Sequence, residues 1–388
     1  MKFVFLRAFD FPIGGASQNR LLSICKSLNY ENQEVLVCQY IPSKLDVKEN
    51  CIKSQIYNDV QIYNFASKYS PITCKKDLLL GSVVGLYNVI FFLFKEHKKS
   101  QIDFISINTT NVFILLIFKI VSKILSCQLS RDLNEYPNYI LFDREKNFFS
   151  DLSYKFFDRV YCISSFLCDF YKPKLKKNAK CMLLPMSVDE DRFNFHYKND
   201  IKSNTFISYC GDLSEEKDGV ISLIKSFSLI HEKFPKLKLQ LIGTNKNSFY
   251  VERLLQLVEE LSLSDKIIFT GFVNPQAVPD CLYKSRLLVL ARPNNKQAEG
   301  GFPTKLGEYL LTGVPVVLTD VGDVSKYLID RFSAYIASSN DPIIFSQKIV
   351  EALLDENFIQ VGENGKKVAL NKFSYKKQGK LLLDFFKQ

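Results

Sequence analysis

The segment RLLVLARPNNKQAEGGFPTKLGEYLLTGVPVVLTDVGD, residues 286–323, carries the residue types of an anion site. Its apolar start predicts a strand ending near Ala291, followed by a polar loop to Gly301. Pro303 suits the first helical position, because its missing N–H is one that a helix leaves unpaired anyway. The amides of Thr304 and Lys305 then face outward beyond the strand, where a helix start favours negative charge, and Lys305 adds a cation. One turn later, Glu308 presents a carboxylate that can accept two hydroxyl hydrogen bonds, as a ribose diol requires. Alone, Glu308 would read rather as a solvated or salt-bridged helix residue.

Two other loops follow apolar runs. After TFISYCG comes DLSEEKDGVISLIKSF, where Ser214 is placed to cap a helix and Lys217 lies in the first turn. A cation there opposes the helix dipole at a cost of about 0.3–1 kcal/mol; an anion facing Lys217 removes that cost, and a solvated lysine is the alternative. After KFVFLR comes AFDFPIGGASQNRLL, where Gly14 and Gly15 either admit a ligand close to the backbone or make a tight strand-to-helix turn. The spacing lacks the full G-x-G-x-x-G of a dinucleotide loop.

The elements that position these loops repeat. KFVFLR, EVLVCQY, VQIYNF, DFISIN, RVYCIS and CMLLP read as strands in the first half, and TFISYCG, LKLQLIG, KIIFTGF, RLLVLA, PVVLTD and AYIAS in the second. Helix-length segments separate them, which predicts parallel sheets covered on both faces. Twelve strands exceed one comfortable sheet, so two doubly wound α/β domains are expected: residues 1–200 and 201–370, with the polar stretch 198–204 between them. Residues 371–388 read as a closing amphipathic helix.

At 388 residues the chain is long enough for two such cores. With 47% hydrophobic and 24% charged residues, it is neither disordered nor a rod. The net charge is +10, and the first 200 residues hold 27 Lys and Arg against 20 Asp and Glu. That excess fits an anionic partner such as phosphates or a lipid face, and equally a low-GC genome that encodes lysine freely; a basic cluster interleaved with exposed aromatics is lacking, which argues against nucleic acid. The ten cysteines show no Cys-x-x-Cys pair and only three His are present, so no zinc site or disulfide framework is expected. The apolar N-terminal run is broken by Arg7, Asp10 and Pro12, too early for a signal-peptide core. Residues 78–94 and 112–125 are apolar with lysines in or beside them, and read as buried or membrane-surface helices rather than a span.

The motif GGFPTKLGEYLLTGVPVV resembles the retaining nucleotide-sugar glycosyltransferases of family 4, which adopt the two-domain GT-B architecture. It matches the family's Gly-Phe, its second Glu as Glu308, and the tail Gly313-Val314-Pro315-Val316-Val317. The family's first Glu falls on Gly300, with Glu299 one position earlier; its Arg after the first strand of the second domain is Asp212, while its Lys is present as Lys217. FDRVYCIS and PMSVDEDRF are similar to the run that leads to the linker. The resemblance implies two Rossmann-like domains facing a cleft, with the terminal helix crossing back to the first. It implies transfer of a sugar from a nucleoside diphosphate donor to a hydroxyl of a glycan or lipid-linked glycan in bacterial cell-surface polysaccharide assembly. Lys217, Thr304 and Lys305 would hold the diphosphate, Glu308 the ribose, and Gly301 and Phe302 would lie near the sugar, with Glu299 or backbone groups completing its site. The backbone around Phe272 would lie near the base. Gly14 and Gly15 would form the acceptor-side loop, and Asp132 or Glu135 would orient the acceptor. No cofactor is implied, and no metal; Asp189-Glu190-Asp191 falls in the inter-domain exit, not in a nucleotide-binding sheet. The implied partners are the sugar nucleotide, the acceptor and an anionic membrane surface, with no nucleic acid, and the implied location is cytoplasmic, peripheral at the inner membrane face. A sugar-nucleotide epimerase of the same architecture is the rival enzyme, and a nucleic-acid binder the rival of another class.

Overall fold

Every residue of KFVFLR, Lys2–Arg7, is buried. A strand with no exposed face must sit inside a sheet covered on both sides, and this one (β1) does. The computed structural model describes residues 1–7, 10–13, 15–43, 48–66, 75–142, 145, 149, 151–193, 201–245 and 247–388. They fall into two α/β units: residues 1–187 with 375–388, and residues 188–374.

In the first unit β1 is joined by β2 (Glu34–Gln39), β3 (Ser54–Tyr57), β4 (Val60–Asn64), β5 (Phe104–Ile107), β6 (Gln128–Leu133), β7 (Arg159–Cys162) and β8 (Lys180–Leu183). The order is β3-β4-β2-β1-β5-β6-β7-β8, parallel except where β3 runs antiparallel to β4. In the second unit β9 (Phe206–Cys210), β10 (Lys238–Ile242), β11 (Ile267–Gly271), β12 (Ser285–Leu290), β13 (Val316–Thr319) and β14 (Tyr335–Ala337) form a parallel sheet in the order β11-β10-β9-β12-β13-β14.

Two strands are absent from the sequence expectation. β3 is a short edge strand returned on β4 by Asn58 and Asp59, both at positive φ. β6, QLSRDL, hides because Ser130, Arg131 and Asp132 interrupt the apolar signal although the strand is interior.

The units divide at 187/188, earlier than 200/201, and residues 194–200 lie outside those described. Hydrogen bonds explain the placement. Val188 N–H donates to Phe373 O at 2.8 Å, and the Ser374 hydroxyl to the Glu190 carboxylate at 2.6 Å. Tyr283 donates to Phe193 O at 2.7 Å, so residues 188–193 belong to the second sheet's surroundings.

The closing helix Tyr375–Lys387 lies in the first unit. Gly379 permits this: a Cβ there would stand 2.4 Å from Ser27 O in the Ala16–Tyr30 helix. Phe386 packs on Phe3 and Phe104, with centroids at 4.9 and 4.4 Å. Residues 78–94 and 112–125 fall largely in the helices Lys75–Lys99 and Val112–Ile124. The first rests on Tyr40 through Gly85, whose added Cβ would meet Tyr40 O at 2.1 Å, and Tyr40 touches Phe118 of the second. Replacing Phe386 by Ala should lower unfolding free energy by about 3–5 kcal/mol, read from urea titration of the full chain; a loss under 1 kcal/mol would show that the helix does not complete this core.

Candidate active site

β9 and β12 are neighbours at the centre of the second sheet, with β10 and β11 beyond one and β13 and β14 beyond the other. The strand order reverses between them, and in such sheets ligands sit outside the carboxyl ends at the reversal. The loops leaving the two strands meet there. Gly219 has φ +67°, and a Cβ on it would lie 1.8 Å from Ala291 O. Asn295 fastens the same junction, accepting from Ala298 N–H at 2.9 Å and donating to Glu216 O at 2.7 Å.

Beneath the junction is a buried carboxylate. Asp218, 1% exposed, accepts from Lys305 Nζ at 2.7 Å and from the Tyr209 hydroxyl at 2.9 Å, and its other oxygen lies 4.0 Å from Arg292 Nε. Burial alone would raise its pKa, but Lys305, Arg292 and the Tyr209 hydrogen bond hold it below the ordinary aspartate value. Burial pushes Lys305 below the ordinary lysine value, against the pull of Asp218, with Lys217 close enough to add a like charge. Lys305 is therefore an internal ion-pair member. Its Nζ lies where a Cβ on Gly211 would approach within 2.1 Å, so its side chain is committed beneath the loop rather than free for a diphosphate.

Sequence reasoning missed Arg292, Asp218, Tyr209 and Arg192. Arg292 is 5% exposed; Nε donates to Lys217 O at 3.3 Å, while Nη1 is buried without a partner among the described residues. Its signal was an arginine placed directly after the strand RLLVLA, passed over as part of a polar loop. Among the described residues the Lys217 side chain makes no ion pair, and it is half-buried.

Pro303 is the cap and Thr304 the first residue of the helix Thr304–Leu311, one later than expected, because Pro303 has ψ 98°. The N–H groups of Thr304 and Lys305 have no acceptor among the described residues. Glu308 Oε1 accepts from Arg192 Nη1 at 2.6 Å, and Arg192 Nη2 donates to Pro275 O at 2.7 Å. Arg192 thereby holds Glu308 beside the loop that follows β11, leaving Oε2 without a protein partner among the described residues. Tyr309 anchors the helix, accepting from Cys210 N–H at 2.6 Å.

The other expected residues divide. Gly301 sits against the Arg292 fork, its notional Cβ 3.9 Å from Nη2. Phe302 is 5% exposed and packs on Tyr327 and Phe373, so its ring anchors the loop and cannot face a sugar. Glu299 lies in the helix Lys296–Gly300 with Lys296 3.9 Å away. Phe272 is exposed just past β11. In the first unit Gly14 lies outside the described residues, and Gly15 caps the Ala16–Tyr30 helix, donating to Gln18 Oε1 at 3.0 Å. Asp132 accepts two short bonds from Arg20, from Nε at 2.9 Å and Nη2 at 3.1 Å, while Arg20 also donates to Leu184 O and Pro185 O. That carboxylate is fastened, not free to orient an acceptor. Glu135 is exposed, and its carbonyl accepts from Tyr171.

Residues 191–368 match the family described as glycosyl transferases group 1. Over that segment the chain is similar to the group 1 glycosyltransferases. An uncharacterized glycosyltransferase of Methanocaldococcus jannaschii is 26% identical over 226 residues, 57% of this chain and 56% of that protein; the match spans little more than half the relative's length. Anabaena HepE in complex with UDP superposes with a TM-score of 0.73 at 17% identity, covering 100% of both chains. Sucrose-phosphate synthase from Thermosynechococcus elongatus gives 0.74 at 13% identity, covering 100% of this chain and 98% of the other. The fold is thus GT-B, and the matched segment contains every residue of the β9/β12 site.

Asp218 tests the ion-pair network. Its pKa is lowered on folding, so the stability it contributes is present above the unfolded value, near 3.8, and is lost as pH falls through the folded value. Asp218→Asn should therefore be less stable at neutral pH by about 3–5 kcal/mol and should lose less on acidification than the parent. Equal acid sensitivity in calorimetric scans would remove Asp218 from this role.

Proposed function

We propose that the chain is a retaining glycosyltransferase that uses a nucleoside diphosphate sugar without a divalent metal. The observation that carries this reading is the convergence, inside the matched segment, of Lys217, the unpaired Nη1 of Arg292, the open amides of Thr304 and Lys305, and Glu308 at one sheet reversal. Lys305 and Asp218 cancel, so Lys217 and Arg292 remain as two cations against the charge that grows on a departing diphosphate. Such stabilisation acts mainly in the transition state. Arg292 takes the place of the cation that Asp212 removes from the family pattern. Glu308, its rotamer fixed by Arg192, offers Oε2 to a ribose hydroxyl. HepE has been crystallised with UDP and with UDP-glucose, which makes UDP-glucose the first donor to test.

Binding of UDP and UDP-glucose to the full chain by calorimetry, and transfer to glycan or lipid-linked acceptors, test this reading. Glu308→Gln should weaken donor binding about tenfold or more, since bonds to an ionised partner contribute roughly 1.5–3 kcal/mol. Arg292→Gln should slow transfer more than it weakens binding, with activity of the parent surviving excess chelator and the product keeping the donor's anomeric configuration. Donor turnover without acceptor would favour the epimerase. Loss of activity with chelator, or unchanged donor affinity in Glu308→Gln, would overturn the assignment.

The acceptor is proposed to be lipid-linked and met at the cytoplasmic face of a membrane, in assembly of a bacterial surface polysaccharide. Support comes from the helices Lys75–Lys99 and Val112–Ile124. They lie on the same side of the first sheet and expose Leu79, Val83, Tyr87 and Phe91, and Phe113, Leu116, Ile120 and Ile124. Lys123 lies on the second helix, and Lys95 and Lys98 follow on the first. Leu78–Lys99 is long and apolar enough to span a bilayer by length and composition, yet its Val89 and Leu93 are fully buried in the unit. Basic residues at an anionic surface contribute about 1 kcal/mol each. Flotation with anionic vesicles should therefore fail in high salt; retention through salt and carbonate washes would show a span instead.

A further inference from the structure

Cys162 at the end of β7, Cys168 in the helix Ser165–Tyr171 and Cys181 in β8 bring their Sγ atoms within 4.8 Å of one another. The sequence spacing concealed this, because the three come from two strands and the helix packed over them rather than from one knuckle. Cys162 and Cys181 are 3.9 Å apart. Three sulfurs bound to one ion at about 2.3 Å stand about 3.8 Å apart in a tetrahedral site and about 4.0 Å in a trigonal one. The Cys162–Cys181 separation is that of shared coordination, and Cys168 Sγ lies within 4.8 Å of both.

A Cys162–Cys181 disulfide does not fit the same geometry. The parallel register pairs Cys162 with Leu183 and Cys181 with Val160, so the cysteines are offset by two residues across adjacent strands. With a rise of about 3.3 Å and a strand spacing of about 4.8 Å, their Cα atoms are about 8 Å apart, beyond the reach of about 7 Å for a bridge. Cys168 and Cys181 are partly exposed, which leaves an entry path.

We propose that Cys162, Cys168 and Cys181 form a three-thiolate site for a thiophilic d10 cation such as zinc, which clips the edge strand β8 and its covering helix to β7. Binding releases the thiol protons to solvent, and a water or external thiolate completes the coordination. The site is structural and independent of the sugar nucleotide chemistry.

Full-length protein, stripped with chelator under a non-thiol reductant, is titrated with Cd2+ and read by the sulfur-to-cadmium charge-transfer band. Thermal unfolding is followed with and without Zn2+. One saturable equivalent per chain and a rise in Tm with Zn2+ are expected, both lost in Cys168→Ser and in Cys181→Ser and both kept in Cys281→Ser. The half-exposed positions of Cys168 and Cys181 keep these variants foldable, and circular dichroism checks each one. A band unchanged in both variants, no saturable binding by the parent, or a Cys162–Cys181 disulfide recovered from native protein would overturn the proposal.

Discussion

The second unit is organised around one buried negative charge. Removing a carboxylate from water costs several kcal/mol unless it is paired and hydrogen-bonded, and Asp218 meets Lys305, Tyr209 and Arg292. These residues come from the β9 strand, the turn after it, the end of β12 and the helix beyond. Satisfying Asp218 therefore fixes the loops on both sides of the sheet reversal relative to each other. It also decides which cations are spent internally. Lys305 is consumed by the pair, while its amide and that of Thr304 stay outward, and Arg292 keeps one unpaired nitrogen.

The first unit uses a related device at Arg20. Arg20, 3% exposed, bonds Asp132 and two carbonyls of the 184–185 segment, joining a helix, an interior strand and the exit from β8. Here the donors used on Nε, Nη1 and Nη2 are matched by acceptors, which explains a polar strand in the interior and argues for a structural Asp132. Arg131 and Arg159 also keep unpaired guanidinium nitrogens, so what marks Arg292 is its unpaired nitrogen together with its place at the sheet reversal.

Much of this was legible in sequence, for stated reasons. Twelve apolar runs gave away their strands because interior parallel strands have no polar face; β6 escaped because Arg131 is buried over the rings of Tyr154 and Phe157 and Asp132 is bonded by Arg20, rather than either being a solvent residue. The motif around Glu308 was legible because turn and helix-start residues have fixed spacing. Lys305 was misread, since a lysine in a helix's first turn faces outward by default and only Gly211, with no side chain to block it, lets the ammonium turn under the neighbouring loop. Arg292 and Asp218 were not legible as partners because they are 74 positions apart and meet only through the adjacency of β9 and β12. The three cysteines were hidden by the same kind of adjacency, between β7 and β8.

The Lys75–Lys99 helix shows why hydropathy alone could not place it. Gly81, Gly85, Val89 and Leu93 recur every four residues along the inner stripe, and Leu79, Val83, Tyr87 and Phe91 recur every four along the outer one. Both stripes are apolar, so the segment reads like a span. The inner stripe, however, is cut to the shape of a protein surface: a Cβ at Gly81 would stand 2.7 Å from Pro42 and one at Gly85 2.1 Å from Tyr40 O. The notch at Gly85 brings backbone against backbone and that at Gly81 brings the helix against the Pro42 ring, a fit that lipid chains do not require. The helix's own end is tied down as well, with Glu96 on Lys2 at 3.1 Å, and Lys2 in turn on Glu34 at 2.7 Å. A helix held along one stripe and at one end can present its other stripe to a bilayer only from the side. The proposed membrane association rests on those outer apolar stripes of the two helices, with the sheet beneath them as the rigid support.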